Sequence, residues 1–237
     1  MTTALRMKQH IEFLKYRNSI YKNWPLKFWK TGEYQVIKEK LHECRDDRTL
    51  RDLYCPGRFN LFRELSLLRP EQVKVVIVGQ DPFPDPLLAT GIAFSIPRSV
   101  KTFPGSLVNI FKEYSDDLGY STPKHGDLTR WVKEGVLLWN AIPTCTIGRP
   151  GSHRWCEYEY LTREIIHHLD DQKCVFVFLG RMAQTFAGEC SEPERTINTS
   201  HPSPLGAYKG FLGSRIFSRT NDILANIGKK PINWRLS

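Results

Sequence analysis

The stretch Val73-Lys-Val-Val-Ile-Val-Gly79 decides the fold, because its apolar, β-branched residues follow one another with little polar alternation. A strand of this composition is buried on both faces, which is typical of a parallel sheet. Three further stretches share the pattern, the last of them more weakly. They are Gly135-Val-Leu-Leu-Trp-Asn140, Cys174-Val-Phe-Val-Phe-Leu-Gly180 and Arg195-Thr-Ile-Asn-Thr-Ser200. We therefore predict a central four-stranded parallel sheet.

Helical patterns lie between these strands and before the first of them. Residues 105–118 and 155–170 are predicted to be helices, and residues 2–18 and 33–48 predict an N-terminal helical pair. Strands that alternate with helices indicate an α/β fold whose parallel sheet is flanked by helices on both faces.

A last helix is predicted after the fourth strand. Its apolar stripe runs from Ile216 to Ile227. Ser214 is a candidate for its N-terminal cap, and Gly228 is expected to end it in the left-handed conformation.

Length and composition bound the class of protein. The chain has 237 residues, 41% of them hydrophobic and 25% charged, which indicates one globular domain over residues 1–237 and excludes a disordered protein. Residues 1–50 are expected to form a helical arm packed on that domain. No stretch approaches the roughly 20 apolar residues of a membrane span, and residues 1–10 contain no apolar secretory core. We expect a monomer without membrane contact inside the cell, in the cytoplasm of a bacterium or in a nucleus if the source is eukaryotic or viral.

Positive charge is concentrated at the two ends of the chain. Lys and Arg number 34 against 25 Asp and Glu, so the net charge is +9. Residues 1–30 hold seven cationic side chains and one acidic one, and residues 201–237 hold six and one. A basic domain commonly binds a polyanion, because each neutralised phosphate releases counterions. From charge alone, nucleic-acid binding and mere solubility remain equally good interpretations.

The cysteines and histidines do not form a metal-binding pattern. None of the six cysteines belongs to a Cys-x-x-Cys pair, and the adjacent His167 and His168 point about 100° apart on a helix. We expect free thiols and no bound metal.

Polar residues follow the predicted strands at the edge where ligands of parallel sheets bind. Gln80 and Asp81 follow the first strand, Asn140 ends the second, Gly180-Arg181 ends the third, and His201 follows the fourth. A carboxylate, an amide and an imidazole are therefore expected to converge at one edge of the sheet.

Each of these side chains has a structural and a functional interpretation. Asp81 precedes a proline, so it is either a turn residue that bonds its own backbone or a carboxylate that orients water. The amide of Asn140 offers a donor and an acceptor side by side, either to loop backbone or to the edge of a ligand. His201-Pro-Ser-Pro-Leu205 is stiffened by two prolines, and its leucine is either a core residue or an apolar wedge at a loop tip.

Other enzyme classes lack their motifs in this sequence. There is no G-x-S-x-G elbow, and the neighbouring Ser200 and His201 cannot face each other as a hydrolase pair. Neither a G-x-G-x-x-G nor a Walker motif is present. A serine hydrolase and a nucleotide-binding enzyme are therefore disfavoured.

Taken together and in order, these segments resemble family 1 of the uracil-DNA glycosylases, over about Tyr54 to Trp234. The matching segments are Val75-Val-Ile-Val-Gly-Gln-Asp-Pro-Phe83, Gly91-Ile-Ala-Phe-Ser95, Lys101-Thr-Phe-Pro-Gly-Ser-Leu107, Val136-Leu-Leu-Trp-Asn-Ala141, Ser152-His153, Phe178-Leu-Gly180, His201-Pro-Ser-Pro-Leu205, Gly210-Phe-Leu-Gly-Ser-Arg-Ile-Phe-Ser218 and Pro231-Ile-Asn-Trp234. One such segment is weak evidence, whereas the ordered set is specific.

The resemblance implies an activity and partners. The enzyme would flip a deoxyuridine out of DNA and hydrolyse its N-glycosidic bond, leaving an abasic site, which is the first step of base excision repair. The resemblance implies no cofactor, because uracil leaves as a stabilised anion. The expected partners are uracil-containing DNA, single- or double-stranded, and a DNA-mimicking inhibitor protein.

The resemblance also assigns a role to each matching residue. The catalytic residues would be Asp81, which orients water and stabilises the sugar cation, and His201, which stabilises the uracil anion. In the base pocket, Phe94 would stack on uracil, Asn140 would bind its Watson–Crick edge, and Phe83 would exclude thymine. The remaining assigned residues are Gln80 for substrate binding and, for DNA, Pro104, Ser106, Gly180, Arg181, Ser203 and the wedge Leu205.

Two segments depart from the family pattern. Phe83-Pro84 stands where the family usually has Tyr-His, which keeps the bulk against a methyl group but removes a phosphate contact. Gly180-Arg181 replaces the commoner Gly-Ser and adds a cation. Two alternatives stay open: a DNA-binding or replication-processivity subunit with the same fold, and a superfamily glycosylase with another base preference. The intact set of Asp81, Asn140 and His201 favours catalysis.

Overall fold

The secondary structure follows from a computed structural model that describes residues 3–46 and 51–236. In those ranges the helices are α1 (Thr3–Asn23), α2 (Gly32–Glu43), α3 (Arg63–Leu67), α4 (Gly105–Leu118), α5 (Thr129–Lys133), α6 (Cys156–Asp170), α7 (Arg181–Gln184) and α8 (Ile216–Asn226). The strands are β1 (Arg45–Asp46), β2 (Arg51–Asp52), β3 (Tyr54–Cys55), β4 (Val75–Gly79), β5 (Val136–Asn140), β6 (Cys145–Thr146), β7 (Val175–Leu179) and β8 (Thr196–Thr199).

The central sheet has the strand order β5-β4-β7-β8, and every neighbouring pair is parallel. All residues of β4, β5 and β7 are buried, as their unbroken apolar composition predicts. The predicted four-stranded parallel sheet is confirmed, with strand ends within two residues of the expected ones. Two short antiparallel pairs, β1 with β2 and β3 with β6, lie outside it.

Helices flank the sheet and bury its faces. Trp139 of β5 donates from Nε1 to Thr162 Oγ1 of α6 at 3.0 Å, which ties that helix to the sheet. On α4, Tyr114 meets Phe217 of α8 edge-on with ring centroids 5.7 Å apart. The α/β fold is therefore confirmed. No helix in residues 3–46 and 51–236 has both the length and the apolar character that a membrane crossing requires.

The two N-terminal helices form where the pattern predicts helices, with different ends. Helix α1 continues to Asn23, and the Tyr16 hydroxyl donates to the Leu61 carbonyl at 2.8 Å. Helix α2 ends at Glu43, sooner than predicted, because the chain then turns into strand β1, which pairs with β2. Residues 2, 47 and 48 of the predicted helices lie outside the described residues.

The predicted N-terminal cap of the last helix is wrong. Helix α8 begins at Ile216, and the Ser214 hydroxyl donates to a backbone carbonyl three residues earlier. The backbone N–H groups of Phe217 and Ser218 instead donate to the carboxylate of Asp117 on α4 at 3.0 and 2.8 Å. A carboxylate from a distant helix thus supplies the acceptor that a local serine was expected to supply. Gly228 does end the helix in the left-handed region, with φ of 73°, as predicted.

Candidate active site

The two central strands end side by side and carry the first site residues. Gly79 of β4 is paired in register with Asn140 of β5. Two more backbone hydrogen bonds extend the pairing beyond the strands, from Ala141 N to Gly79 O at 3.1 Å and from Ile142 N to Gln80 O at 2.9 Å. The segment that contains Gln80 and Asp81 therefore leaves the sheet beside Asn140, as the sequence predicts.

Gly79 forms the floor on which an aromatic ring and an amide meet. A Cβ atom at this position would lie 2.7 Å from Cζ of Phe94 and 3.0 Å from Oδ1 of Asn140. No side chain fits at that distance without movement of its neighbours. The absence of a side chain at Gly79 therefore lets a stacking group and a hydrogen-bonding group share one small space.

Phe94 has an unusual backbone conformation. Its φ of 63° lies in the left-handed region, which costs a non-glycine residue about 1–2 kcal/mol. The backbone N–H groups of Ala93 and Ser95 on either side donate to the carbonyls of Leu138 and Ile92 at 3.1 Å. These hydrogen bonds hold Phe94 in its strained backbone conformation. Strain of this kind is typical of residues whose side-chain position serves a functional site.

Around this floor lies a small pocket with aromatic walls. Phe83, Phe94 and Asn140 line it together, and Phe83 is half-buried there. Its other walls include Pro56, Phe62, Glu64, Pro82, Ser95 and Pro143. Flat aromatic walls beside a single amide suit one planar ring with a hydrogen-bonding edge.

The Asp81 carboxylate is held by two donors. Oδ1 accepts from Gln80 Nε2 at 3.1 Å, and Oδ2 accepts from the backbone N–H of Gly151. Burial raises the pKa of Asp81, while these hydrogen bonds and the nearby Arg154 cation oppose the rise. The result is an oriented carboxylate in a partly desolvated position, where it interacts strongly with positive charge.

His201 presents one defined ring nitrogen to the site. Its Nδ1 accepts from the backbone N–H of Ser203 at 3.1 Å, and burial lowers the pKa of the ring. A neutral imidazole whose Nδ1 accepts carries its proton on Nε2. The hydrogen bond therefore assigns Nε2 as a donor, and the ring centroid lies 5.9 Å from that of Phe94.

The loop of His201 is closed tightly around that residue. A Cβ on Gly180, whose φ is 90°, would lie 2.8 Å from the histidine Cβ, and one on Gly206 would lie 2.5 Å from its carbonyl oxygen. Ser200 Oγ also donates to the Gly206 carbonyl at 2.8 Å. The two glycines therefore permit the close approach that positions the imidazole.

The two proline-containing loops that were predicted to contact DNA lie against each other. A Cβ on Gly105, between Pro104 and Ser106, would lie 2.5 Å from Pro204 Cγ. Asn109 of α4 donates from Nδ2 to the Pro202 carbonyl at 2.8 Å. Although about a hundred residues separate them, the loops form one continuous surface.

Leu205 stands at the tip of this surface with 87% of its area exposed, so the alternative of a core residue is wrong. Tyr208, three residues later, is 80% exposed. Two large apolar side chains that project into solvent beside a basic groove are suited to contact with stacked bases.

An open groove runs from His201 across the same face. It is lined by the predicted residues Gln80, Gly180, Arg181, Ser203 and Leu205. It also contains Arg154 and Lys209, which the sequence analysis did not single out. Three cations in one groove suit the phosphates of a nucleic acid. Arg154 directly follows the motif residues Ser152-His153, and this position in the sequence could have identified it as a site residue.

His153 supports the site from within the fold. Nδ1 and Nε2 of its ring contact Thr144 Oγ1 at 2.8 Å and Thr146 Oγ1 at 3.0 Å, and the ring stacks on Trp155 at 4.3 Å. Burial lowers its pKa to about 4, so the ring is neutral. It thus stabilises the loop whose Gly151 donates to Asp81.

The part of the chain that the structure describes contains no group of three or more His, Cys, Asp or Glu side chains placed to hold a metal ion. The expectation of no metal stays a prediction.

A pocket with aromatic walls and one amide lies beside a cationic groove at the carboxyl edge of the parallel sheet. These features are typical of enzymes that excise bases from DNA by hydrolysing an N-glycosyl bond. The chain belongs to the uracil DNA glycosylase superfamily, whose family model matches residues 65–225. The expected family membership is confirmed, and with it the expected enzyme class.

Relatives named uracil-DNA glycosylase match most of the chain. A uracil-DNA glycosylase from Alkaliphilus metalliredigens is 42% identical over 184 residues, which is 76% of this chain and 81% of the relative. One from Mycolicibacterium vanbaalenii is 44% identical over 185 residues, 77% of this chain and 81% of the relative. Pairwise identity of this size to proteins of that name, together with the family match, supports a role in DNA repair by base excision.

Solved structures agree with the fold. The mimivirus uracil-DNA glycosylase matches with a TM-score of 0.76 at 27% identity and covers 95% of this chain and 86% of its own. A variant of mimivirus UNG in complex with UGI matches with a TM-score of 0.77 at 27% identity, covering 95% and 87%. A mutant of the UNG from Nitratifractor salsuginis, at 17% identity and a TM-score of 0.56, covers 90% of this chain and 97% of its own and supports the fold alone. The wild-type structure of that protein is similar to this chain at 16% identity and a TM-score of 0.54, covering 91% of this chain and 97% of its own.

Proposed function

We propose that the described pocket binds a uracil flipped out of DNA and that Asp81 and His201 carry out its hydrolytic release. The observation that carries this proposal is the meeting of the Phe94 ring and the Asn140 amide over the bare backbone of Gly79. A planar base that lies on the ring presents its edge to the amide in that arrangement.

Base selection follows from three side chains. Phe94 stacks on the ring of the base, which is sequence-tolerant by itself. Asn140 accepts from N3–H and donates to O4 of uracil, whereas cytosine presents the opposite pattern. Phe83 stands against C5, where the methyl group of thymine would clash. Shape and hydrogen bonding together thus select uracil.

The chemical step breaks the bond between the sugar C1′ and uracil N1. The bonding electrons leave with uracil, and the His201 Nε2–H donates a hydrogen bond to O2 as negative charge develops there. The Asp81 carboxylate stabilises the oxocarbenium-like sugar and orients the water that adds to C1′. The water loses a proton to the Asp81 carboxylate, which releases it to solvent. The uracil anion takes up a proton in turn, so the products are neutral uracil and an abasic site.

The exposed loops offset the cost of extrusion. Flipping a base out of the stack costs a few kcal/mol. Leu205 fills the vacated space, while the surface formed by Pro104, Ser106 and Ser203 contacts the backbone. Arg154 and Arg181 neutralise phosphates along the groove, with Lys209 beside them. Binding energy gained on the DNA backbone therefore drives the base into the pocket.

The same groove is proposed to bind a second kind of partner. One similar solved structure is a complex with UGI. A protein that mimics the negative charge of DNA would fit the cationic groove and cover the exposed Leu205. The protein is proposed to act as a monomer on single- or double-stranded DNA.

The experiment is single-turnover release of uracil from a defined oligonucleotide, with thymine- and cytosine-containing controls and an Asp81→Asn variant. We expect rapid release of uracil only, and a loss of two or more orders of magnitude in the variant with unchanged DNA binding. Equal losses of DNA binding and turnover would refute the role of Asp81. Tight DNA binding without release by the wild type would support the DNA-binding alternative instead.

A further inference from the structure

Glu64 is a buried acidic residue that the proposed mechanism does not use. It lies on α3 with only 4% of its surface exposed, and it lines the same pocket as Phe83, Phe94 and Asn140. Within residues 3–46 and 51–236, no group hydrogen bonds to its Oε2 atom. Buried polar atoms are nearly always paired, so an unpaired one in a ligand pocket points to the ligand.

The backbone around Glu64 is anchored to the loop that carries Phe94. Glu64 N–H donates to the Gly91 carbonyl at 3.3 Å, and Arg63 Nη1 donates to the Thr90 carbonyl at 3.2 Å. Phe62, the preceding residue, stacks on Trp139 of β5 with centroids 6.1 Å apart. These contacts fix α3 against the pocket, so Glu64 does not reach solvent by a simple displacement of its helix.

Burial also determines the protonation state of this side chain. It raises the pKa of Glu64 well above the ordinary value, while a hydrogen bond to the residue's own backbone and the Arg63 cation on the same helix lower the pKa by less. The pKa of Tyr16 on α1 is raised mainly by burial, so this side chain is a neutral phenol and brings no positive charge to Glu64. The raised pKa favours the neutral carboxylic acid form of Glu64, which has an O–H donor that a carboxylate lacks.

We propose that Glu64 is a further base-recognition residue, whose carboxylic acid group donates a hydrogen bond to O4 of the bound uracil. The inference rests on the proposed roles of the pocket residues. Those roles leave one lone pair on uracil O4 without a hydrogen bond. His201 binds O2, and Asn140 donates to only one of the two lone pairs on O4. Negative charge develops on O4 as uracil leaves, so this hydrogen bond strengthens in the transition state.

Two substitutions separate recognition from packing. Glu64→Gln keeps the volume and an N–H donor, whereas Glu64→Leu keeps only the volume. In single-turnover release of uracil we expect Glu64→Leu to be about tenfold slower than the wild type, and Glu64→Gln to stay within about threefold of it. Thermal unfolding of Glu64→Leu should be unchanged or higher, because an unpaired buried polar group has been removed.

An atomic substitution in the DNA tests the contact itself. An oligonucleotide with 4-thiouracil replaces O4 by sulfur, a weaker acceptor, so the difference between the wild type and Glu64→Leu should shrink to less than threefold. Equal rates for Glu64→Leu and the wild type on uracil would overturn the proposal. Equal slowing of both variants, or the same tenfold loss on 4-thiouracil, would also overturn it. If the wild type released no uracil at all, the proposed function itself would fail, which is a distinguishable result.

Discussion

Gly79→Ala tests the base pocket with a single added methyl group. The new Cβ would lie 2.7 Å from Cζ and 2.9 Å from Cε2 of Phe94, and 3.0 Å from Oδ1 of Asn140. Ordinary contact begins near 3.4 Å, so the Phe94 ring must retreat by about 0.7 Å and the amide by about 0.4 Å. Both groups contact the base in the proposed complex, and both move in the same substitution.

The expected effect on catalysis is large. Displacement of positioning groups by about 1 Å lowers a rate about 100-fold, which corresponds to about 2.7 kcal/mol of transition-state stabilisation. Because Phe94 already has a strained backbone, its ring has little freedom to adapt. Overpacking should also lower the free energy of unfolding by about 1–3 kcal/mol.

The assay is single-turnover release of uracil at a temperature where both proteins are folded, with thermal unfolding measured in parallel. Gly188→Ala is the matched control, because a Cβ at that glycine meets no atom within 4 Å. It should release uracil at the wild-type rate. A Gly79→Ala protein that is folded and within about threefold of the wild-type rate would refute the assignment of this floor as the base site.

Three further outcomes are expected from the site. Asn140→Asp should release cytosine, because the second carboxylate oxygen accepts from its amino group where the native amide donates; no cytosine release would refute direct recognition of the edge. Phe83→Ala should release thymine at a measurable rate, and strict rejection of thymine by this variant would assign the exclusion to another group. The value of kcat/KM should fall by up to tenfold per pH unit as the pH drops below the raised pKa of Asp81, because the charged carboxylate is needed. An acid limb that persists unchanged in Asp81→Asn would contradict this origin.

Much of the fold is encoded locally in the sequence. The stretch from Val75 to Gly79 forms a buried strand because apolar, β-branched residues exclude water on both faces. The C-terminal end of α8 is equally local, since Gly228 adopts the left-handed conformation that stops a helix. The patterns that predict such elements lie within a few neighbouring residues, so the existence of these elements is predictable although their ends differ by a few positions.

The N-terminal end of the same helix shows where local reasoning ends. Ser214 has the right residue type and position for a cap, yet the carboxylate of Asp117 occupies that role from another helix. The difference arises because packing of α4 against α8 brings the stronger acceptor to the exposed N–H groups. The residues close to a helix end in sequence therefore cannot predict which hydrogen-bond acceptor the tertiary packing brings to it.

The sequence by itself determined the order of the strands and helices along the chain, the family, and the residue types that follow each strand. Only the tertiary structure decided how these residues meet. Phe94 and Asn140 lie over Gly79, Nδ1 of His201 accepts from a backbone donor, and Glu64, whose Oε2 atom has no hydrogen bond, lines the pocket of Phe94 and Asn140. The physical reason is distance along the chain. The pattern that predicts a strand or a helix lies within a few neighbouring residues, whereas the pocket depends on close packing of segments that are tens of residues apart.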